Sequence, residues 1–189
     1  MFLAKGPTMN YATIKNCDIA NGPGVRVSLF VSGCTHHCPG CFNQVAWDFD
    51  YGKPFTQDTI DQILRMLEPG YIKGITLLGG EPFEPQNQPY ILELLRQMKK
   101  IMPSKTVWAF SGYLFDRDML EKKLGPWDVT KELLSYVDVL VDGKFIDALK
   151  DLTLRFRGSS NQRLIDVPRS LSEGKVVLWE DLQEGDIIK

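Results

Sequence analysis

The sequence contains no apolar run approaching the roughly 18 residues that a membrane-spanning helix requires. It also lacks an excess of either charge: 22 Lys and Arg face 24 Asp and Glu, for a formal charge of −2 at pH 7. That balance argues against a protein that holds nucleic acid or an anionic membrane by bulk electrostatics. No internal repeat or low-complexity linker divides the chain, and no basic segment followed by a long apolar stretch opens it. A single domain over residues 10–189 is therefore expected, with residues 1–9 as an N-terminal extension. Histidine is scarce, with two residues, and cysteine nearly so, with four. Three of the four cysteines, Cys34, Cys38 and Cys41, lie within eight residues, and Cys17 stands apart. Thiols crowded this way, without an export signal, read as metal-binding or catalytic rather than as disulfide staples. They point to the reducing cytoplasm.

What is present follows a regular alternation. Residues 10–24 read as polar and turn-rich, ending in Asn21-Gly22-Pro23-Gly24. A buried strand over Val25–Val31 then delivers the chain into the cysteine loop. Thr56 caps a helix with the apolar stripe Ile60, Ile63, Leu64 and Leu67, and Pro69-Gly70 stops it. Ile75–Leu78 reads as a strand and Pro89–Ile101 as a helix carrying Ile91, Leu94, Leu95, Met98 and Ile101. Thr106–Phe110 reads as another strand. A broken helical region over 116–136 and a strand over Val137–Val141 complete the alternation, which predicts parallel β/α units. A closed eight-fold barrel takes about 250 residues, so an α/β fold with mostly parallel strands in a partial, open β/α barrel is expected. Beyond residue 150, segments 152–156, 163–167 and 176–179 read as short strands. Each parallel strand runs into a glycine-containing turn: Ser32-Gly33, Gly79-Gly80, Ser111-Gly112 and Asp142-Gly143. In β/α folds ligands bind at the carboxyl ends of strands, so these turns are expected on one rim.

The spacing C-x3-C-x2-C, interrupted by Pro39 and Gly40, predicts a loop whose thiolates share one metal centre. Two readings stand on spacing alone. A structural zinc would need Cys17, His36 or His37 as a fourth ligand. An iron–sulfur cluster usually takes four thiolates, and three would leave one iron open to a small molecule.

Three longer runs go further. Asp18-Ile19-Ala20-Asn21-Gly22-Pro23-Gly24-Val25-Arg26 continues through Leu29-Phe30-Val31-Ser32-Gly33-Cys34 to Cys38-Pro39-Gly40-Cys41-Phe42-Asn43. Val139-Leu140-Val141-Asp142-Gly143-Lys144-Phe145 and Arg157-Gly158-Ser159-Ser160-Asn161-Gln162 follow later. With Gly79-Gly80-Glu81-Pro82, they resemble the radical S-adenosylmethionine superfamily. Within it they resemble the activating enzymes of anaerobic (class III) ribonucleoside-triphosphate reductases. The likeness covers about residues 10–180. Gly40 stands where many members of the superfamily have an aromatic residue, and Ser111 where this subgroup often has Thr.

The resemblance implies a [4Fe–4S] cluster on Cys34, Cys38 and Cys41, with S-adenosylmethionine on the fourth iron. Reductive cleavage would give a 5′-deoxyadenosyl radical, which takes hydrogen from a glycine of the large reductase subunit. A low-potential donor such as flavodoxin would supply the electron. Gly79, Gly80 and Glu81 would meet the methionyl group, Glu81 accepting from its ammonium. Gly40 and Phe42 would lie against the adenine or the cluster. Ser111 and Asp142 would bond ligand hydroxyls or the amine, although strand-end polar residues also cap the next helix. Activators of pyruvate formate-lyase and deazapurine synthases share the cluster and fold, and a zinc-binding interaction module is the reading from outside the superfamily.

Overall fold

The computed structural model describes residues 8–180; most of the expected N-terminal extension and residues 181–189 lie outside that range. Seven strands form one open sheet in the order β3-β1-β2-β4-β5-β6-β7. They are β1 (Asn10–Asp18), β2 (Val25–Val31), β3 (Lys53–Pro54), β4 (Ile72–Gly79), β5 (Thr106–Ser111), β6 (Val139–Asp142) and β7 (Arg163–Asp166). The central four, β2, β4, β5 and β6, pair in parallel. Antiparallel pairings flank them: β1 with β2 and β3 on one side, β7 with β6 on the other. Four α-helices, α1 (Gln57–Leu67), α2 (Gln88–Ile101), α3 (Trp127–Tyr136) and α4 (Val167–Glu173), connect or follow the strands.

Alternation along the central strands sorts their side chains between two faces. Val27, Leu29 and Val31 of β2, Ile75 and Leu77 of β4, Val107 and Ala109 of β5, and Leu140 of β6 enter the main core. There they meet Ile60, Ile63 and Leu67 of α1, the Ile91, Leu94, Leu95 and Met98 stripe of α2, and Leu133 and Leu134 of α3. Phe55 and Ile60 are both buried in this core at the spacing of a hydrophobic staple, which fixes how the chain enters α1. Ile101, read as part of the α2 stripe, is exposed on its last turn.

The opposite face is different in kind. Trp108, Val139 and Val141 are packed there with Phe110, Phe156, Leu164 and Trp179. Near the amino ends of the strands the same face holds Arg26, which is buried and, among the described residues, hydrogen-bonded to no carboxylate. Its guanidinium donates to the hydroxyls of Thr76 (2.8 Å) and Thr106 (3.0 Å) and to the carbonyls of Ile75 (2.7 Å) and Thr106 (3.0 Å). Burial lowers its pKa to about 10, still well above neutrality.

Further expectations are corrected. Segment 176–179 is no strand, and meets β7 through the isolated bridge Ile165–Leu178 and the backbone bonds beside it. Residues 10–18 form a strand, not polar turns: β1 gains its order from the long antiparallel ladder with β2, while its own side chains are mostly half-buried or exposed. Segment 152–156 is irregular, inside a loop whose ends meet at the isolated bridge Lys150–Ser159, because it folds over a cavity instead of joining a sheet. The broken helical region resolves into a π-helical turn, Phe115–Met119, and α3 beyond Gly125-Pro126.

Candidate metal centre

Parallel register decides what meets at the rim. Val31 lies opposite Gly79, and Ser111 opposite Asp142, so the turns after β2, β4, β5 and β6 leave the sheet at one end. The cysteine loop has no regular structure of its own and is held by its surroundings. Gly33 N–H donates to the Ala46 carbonyl (2.9 Å) and Cys34 N–H to that of Trp47 (3.1 Å), in the short 3-10 helix Gln44–Trp47. The Gly-Gly turn is stitched to the same segment: Gly80 N–H donates to Val31 (2.7 Å) and Glu81 N–H to Gly33 (2.8 Å). A Cβ on Gly80 would come within 2.5 Å of the Gly33 carbonyl, and Gly79 sits at φ +112°, so both positions require glycine.

A cavity of about 490 Å³ opens beside this turn, and Cys34, Cys38 and Cys41 all lie on its wall. Gly40, Phe42, Gly79, Gly80, Glu81 and Ser111 share that wall. Cys17 and His37 do not: Cys17 is exposed on β1, and His37 stacks on Trp47 with ring centres 4.7 Å apart. Burial pushes the Cys34 thiol up to about 12, with the Glu81 and Glu84 carboxylates adding to the shift, and burial likewise raises Cys38. Metal coordination releases such protons, since the thiolate is the ligand. Among the described residues no three His, Cys, Asp or Glu side chains converge closely enough to hold one metal ion. Three cysteines spread along one wall suit a polynuclear cluster, in which each thiolate meets a different iron.

Glu81 and Asp142 carry more of the scaffold than the sequence suggested. Both oxygens of the buried Glu81 carboxylate are already shared. Oε1 accepts from Phe83 N–H (2.8 Å) and the Ser111 hydroxyl (2.9 Å), and Oε2 from Gly112 N–H (2.7 Å) and His36 Nε2 (3.0 Å). Because a carboxylate only accepts, His36 Nε2 carries a proton in this contact. Asp142 lies off the cavity wall, fully buried. It accepts from Phe115 N–H (2.8 Å) and twice from Arg163 (2.6 and 2.9 Å), which also reaches Asp116 (2.7 Å). Asp142 thus caps the following turn and holds an ion pair. Ser111 remains on the wall with its hydroxyl committed to Glu81.

Sequence reasoning missed the far wall. Leu78, Phe110, Phe145, Leu154 and Phe156 give it an apolar character, with Arg157 and Gln162 beside them. The Gln162 amide accepts from Gly158 N–H (2.8 Å) and donates to the Gly143 carbonyl (3.0 Å), tying the 150s segment to the end of β6. At the mouth stand Phe42, 82% exposed, and Leu152, 90% exposed.

The chain, an open α/β sheet with three cysteines at its rim, matches over residues 20–165 the family model described as "4Fe-4S single cluster domain", and so belongs to that iron–sulfur family. Similar proteins carry a more specific name, "Anaerobic ribonucleoside-triphosphate reductase-activating protein". That of Escherichia coli K12 is 44% identical over 156 residues, which is 82% of this chain and 96% of the relative. That of Enterobacteria phage T4 is 43% identical over 157 residues, 82% of this chain and 93% of the relative. The chain belongs to the family of anaerobic ribonucleoside-triphosphate reductase-activating proteins.

Proposed function

We propose that Cys34, Cys38 and Cys41 hold a [4Fe–4S] cluster, that S-adenosylmethionine occupies the adjoining cavity, and that the chain generates the glycyl radical on the large subunit of an anaerobic ribonucleoside-triphosphate reductase. When bound, the pair would supply one-electron cleavage of the carbon–sulfur bond and a 5′-deoxyadenosyl radical able to take a glycine hydrogen. The single observation that carries this reading is the shared wall: three thiols without a fourth cysteine beside them, lining a ligand-sized cavity together with a glycine turn.

The chain's own residues have distinct tasks in this scheme. Gly79 and Gly80, where a Cβ would meet the backbone of β2 and the cysteine loop, keep the turn close to the cysteines and give a ligand its peptide groups, while Glu81 ties the turn to Gly112. Leu78, Phe110 and Phe156 exclude water from the cavity, which protects a reactive radical from side reactions. Gly40 and Phe42 flank Cys41, and the exposed faces of Phe42 and Leu152 at the mouth suit a protein substrate better than a small one. The open sheet, with helices on one face and the cavity on the other, acts as a partial barrel over a single domain. A low-potential donor such as flavodoxin, in the cytoplasm, is the proposed source of the electron.

The test is anaerobic reconstitution with iron and sulfide, then mixing with a candidate large subunit and S-adenosylmethionine under reducing conditions. A glycyl-radical spectrum is expected, and none with Cys34→Ala, Cys38→Ala or Cys41→Ala, whereas Cys17→Ser should behave as wild type. Bound zinc in place of iron would overturn the reading. Cleavage of S-adenosylmethionine without a glycyl radical would redirect it to another substrate.

A further inference from the structure

We propose that Glu84 is a positioning residue for the cluster-binding loop, fixing the chain immediately after Cys34 through Thr35; this rests on the iron–sulfur reading above. Glu84 lies in the turn leading into α2, off the cavity wall, and its side chain is buried. Its Oε1 accepts from both the Thr35 N–H (2.8 Å) and the Thr35 hydroxyl (2.6 Å). A buried carboxylate is costly unless it is hydrogen-bonded, and both these donors come from the cysteine loop.

Its neighbours show that this contact is part of a built clamp. Successive turns, Glu84 N–H to Glu81 O (3.2 Å) and Asn87 N–H to Glu84 O (2.8 Å), repeat every three residues. They bring the side chains of Glu81, Glu84 and Asn87 to the same loop. Asn87 donates to the Ser32 carbonyl (3.0 Å), Glu84 holds Thr35, and Glu81 holds His36, so Cys34 is gripped from both sides. The Tyr113 oxygen lies 3.4 Å from the Thr35 hydroxyl, and its ring meets His36 edge-on at 4.3 Å. This closes the clamp from the end of β5. Thr35 itself is exposed. The Glu84 carboxylate is bonded to the residue next to Cys34, so its charge lies close to the metal side. A fixed negative charge there disfavours adding an electron to the cluster.

The test uses the reconstituted full chain and three variants. Glu84→Gln keeps an oxygen for Thr35 but removes the charge. It should retain iron against a chelator as the wild type does, with a more positive reduction potential, a change that a merely structural role would not produce. Glu84→Ala removes the acceptor and should lose its cluster about tenfold faster, the scale of one charge-assisted hydrogen bond. Thr35→Val removes only the hydroxyl at an exposed position, so it remains informative if Glu84→Ala does not fold; an intermediate rate of loss is expected. Wild-type retention in both the Ala and Val variants overturns the proposal. So does a Gln variant that matches Ala in loss rate and the wild type in potential. A wild-type chain that takes up no iron and sulfide removes the iron–sulfur reading itself, an outcome distinct from failure at Glu84.

Discussion

Replacing Glu81 by Ala should destabilise the metal-free protein, before any ligand is considered. The carboxylate serves four donors, of which Phe83 N–H and the Ser111 hydroxyl belong to buried residues; Gly112 is half-buried, and the His36 side chain, though buried, lines the cavity and can turn to it. A buried donor left without a partner costs about 1–3 kcal/mol. Two such donors set a range of about 2–6 kcal/mol, and water entering from the neighbouring cavity brings the expected loss to about 3 kcal/mol. With a urea slope of about 2 kcal/mol/M for a domain of this size, the unfolding midpoint should fall by about 1.5 M at constant slope. Glu81→Gln retains one acceptor oxygen but turns an amide N–H toward a backbone N–H, so about half that loss is expected. The assay is anoxic, reduced urea denaturation followed by circular dichroism. Leaving out cluster and S-adenosylmethionine prevents binding energy from entering the result. A midpoint within about 0.3 M of wild type for Glu81→Ala, given that slope, would refute the reading of Glu81 as a brace.

Three further outcomes follow from the same geometry. Asp142→Ala strands Phe115 N–H and leaves Arg163 with Asp116 alone. It should lower the melting temperature by roughly 6 °C, for a loss of about 2 kcal/mol after discounting the part-exposed Arg163, while calorimetry shows S-adenosylmethionine affinity unchanged. Arg163 holds the Asp116 carboxyl below its ordinary range. Stability from that pair is complete above the unfolded value of about 3.9 and is lost as pH falls through the lowered folded value. Asp116→Asn should therefore flatten the acid limb of a stability–pH curve, and an unchanged limb would remove the pair from the account. Leu152→Asp, at the exposed mouth, should weaken glycyl-radical formation about tenfold by disrupting an apolar contact, while uncoupled S-adenosylmethionine cleavage stays at the wild-type rate.

The helices and central strands were legible because their signals are local. Ile60, Ile63 and Leu67, or Ile91, Leu94, Leu95 and Met98, mark one face of a helix whatever lies opposite. The cysteine loop was legible for the same reason, since its spacing is a property of eight consecutive residues. β1 was not, because its order depends on a ladder to β2 that no window of residues 10–18 contains. Glu81, Glu84 and Asp142 show a second limit. A buried carboxylate after a strand reads the same whether its donors are protein or ligand, and only the fold reveals that Phe83, Gly112, Thr35 and Phe115 already supply them. The apolar far wall was hidden because Leu154 and Phe156 suggested alternation, although they cover a cavity.

The parallel pairing of β2, β4, β5 and β6 also bears on when the site can exist during folding. Three cysteines leave the ribosome together, but the turns that brace them arrive later, from strands joined by long crossovers. Such non-local pairings close slowly, because loop-closure entropy is spent before any contact is gained. Iron meeting the young chain would find three loose thiols, able to take the wrong metal or none. Loading therefore belongs after the last parallel strand has docked. A truncation that ends before Val139 should keep every cysteine and still fail to assemble a stable centre.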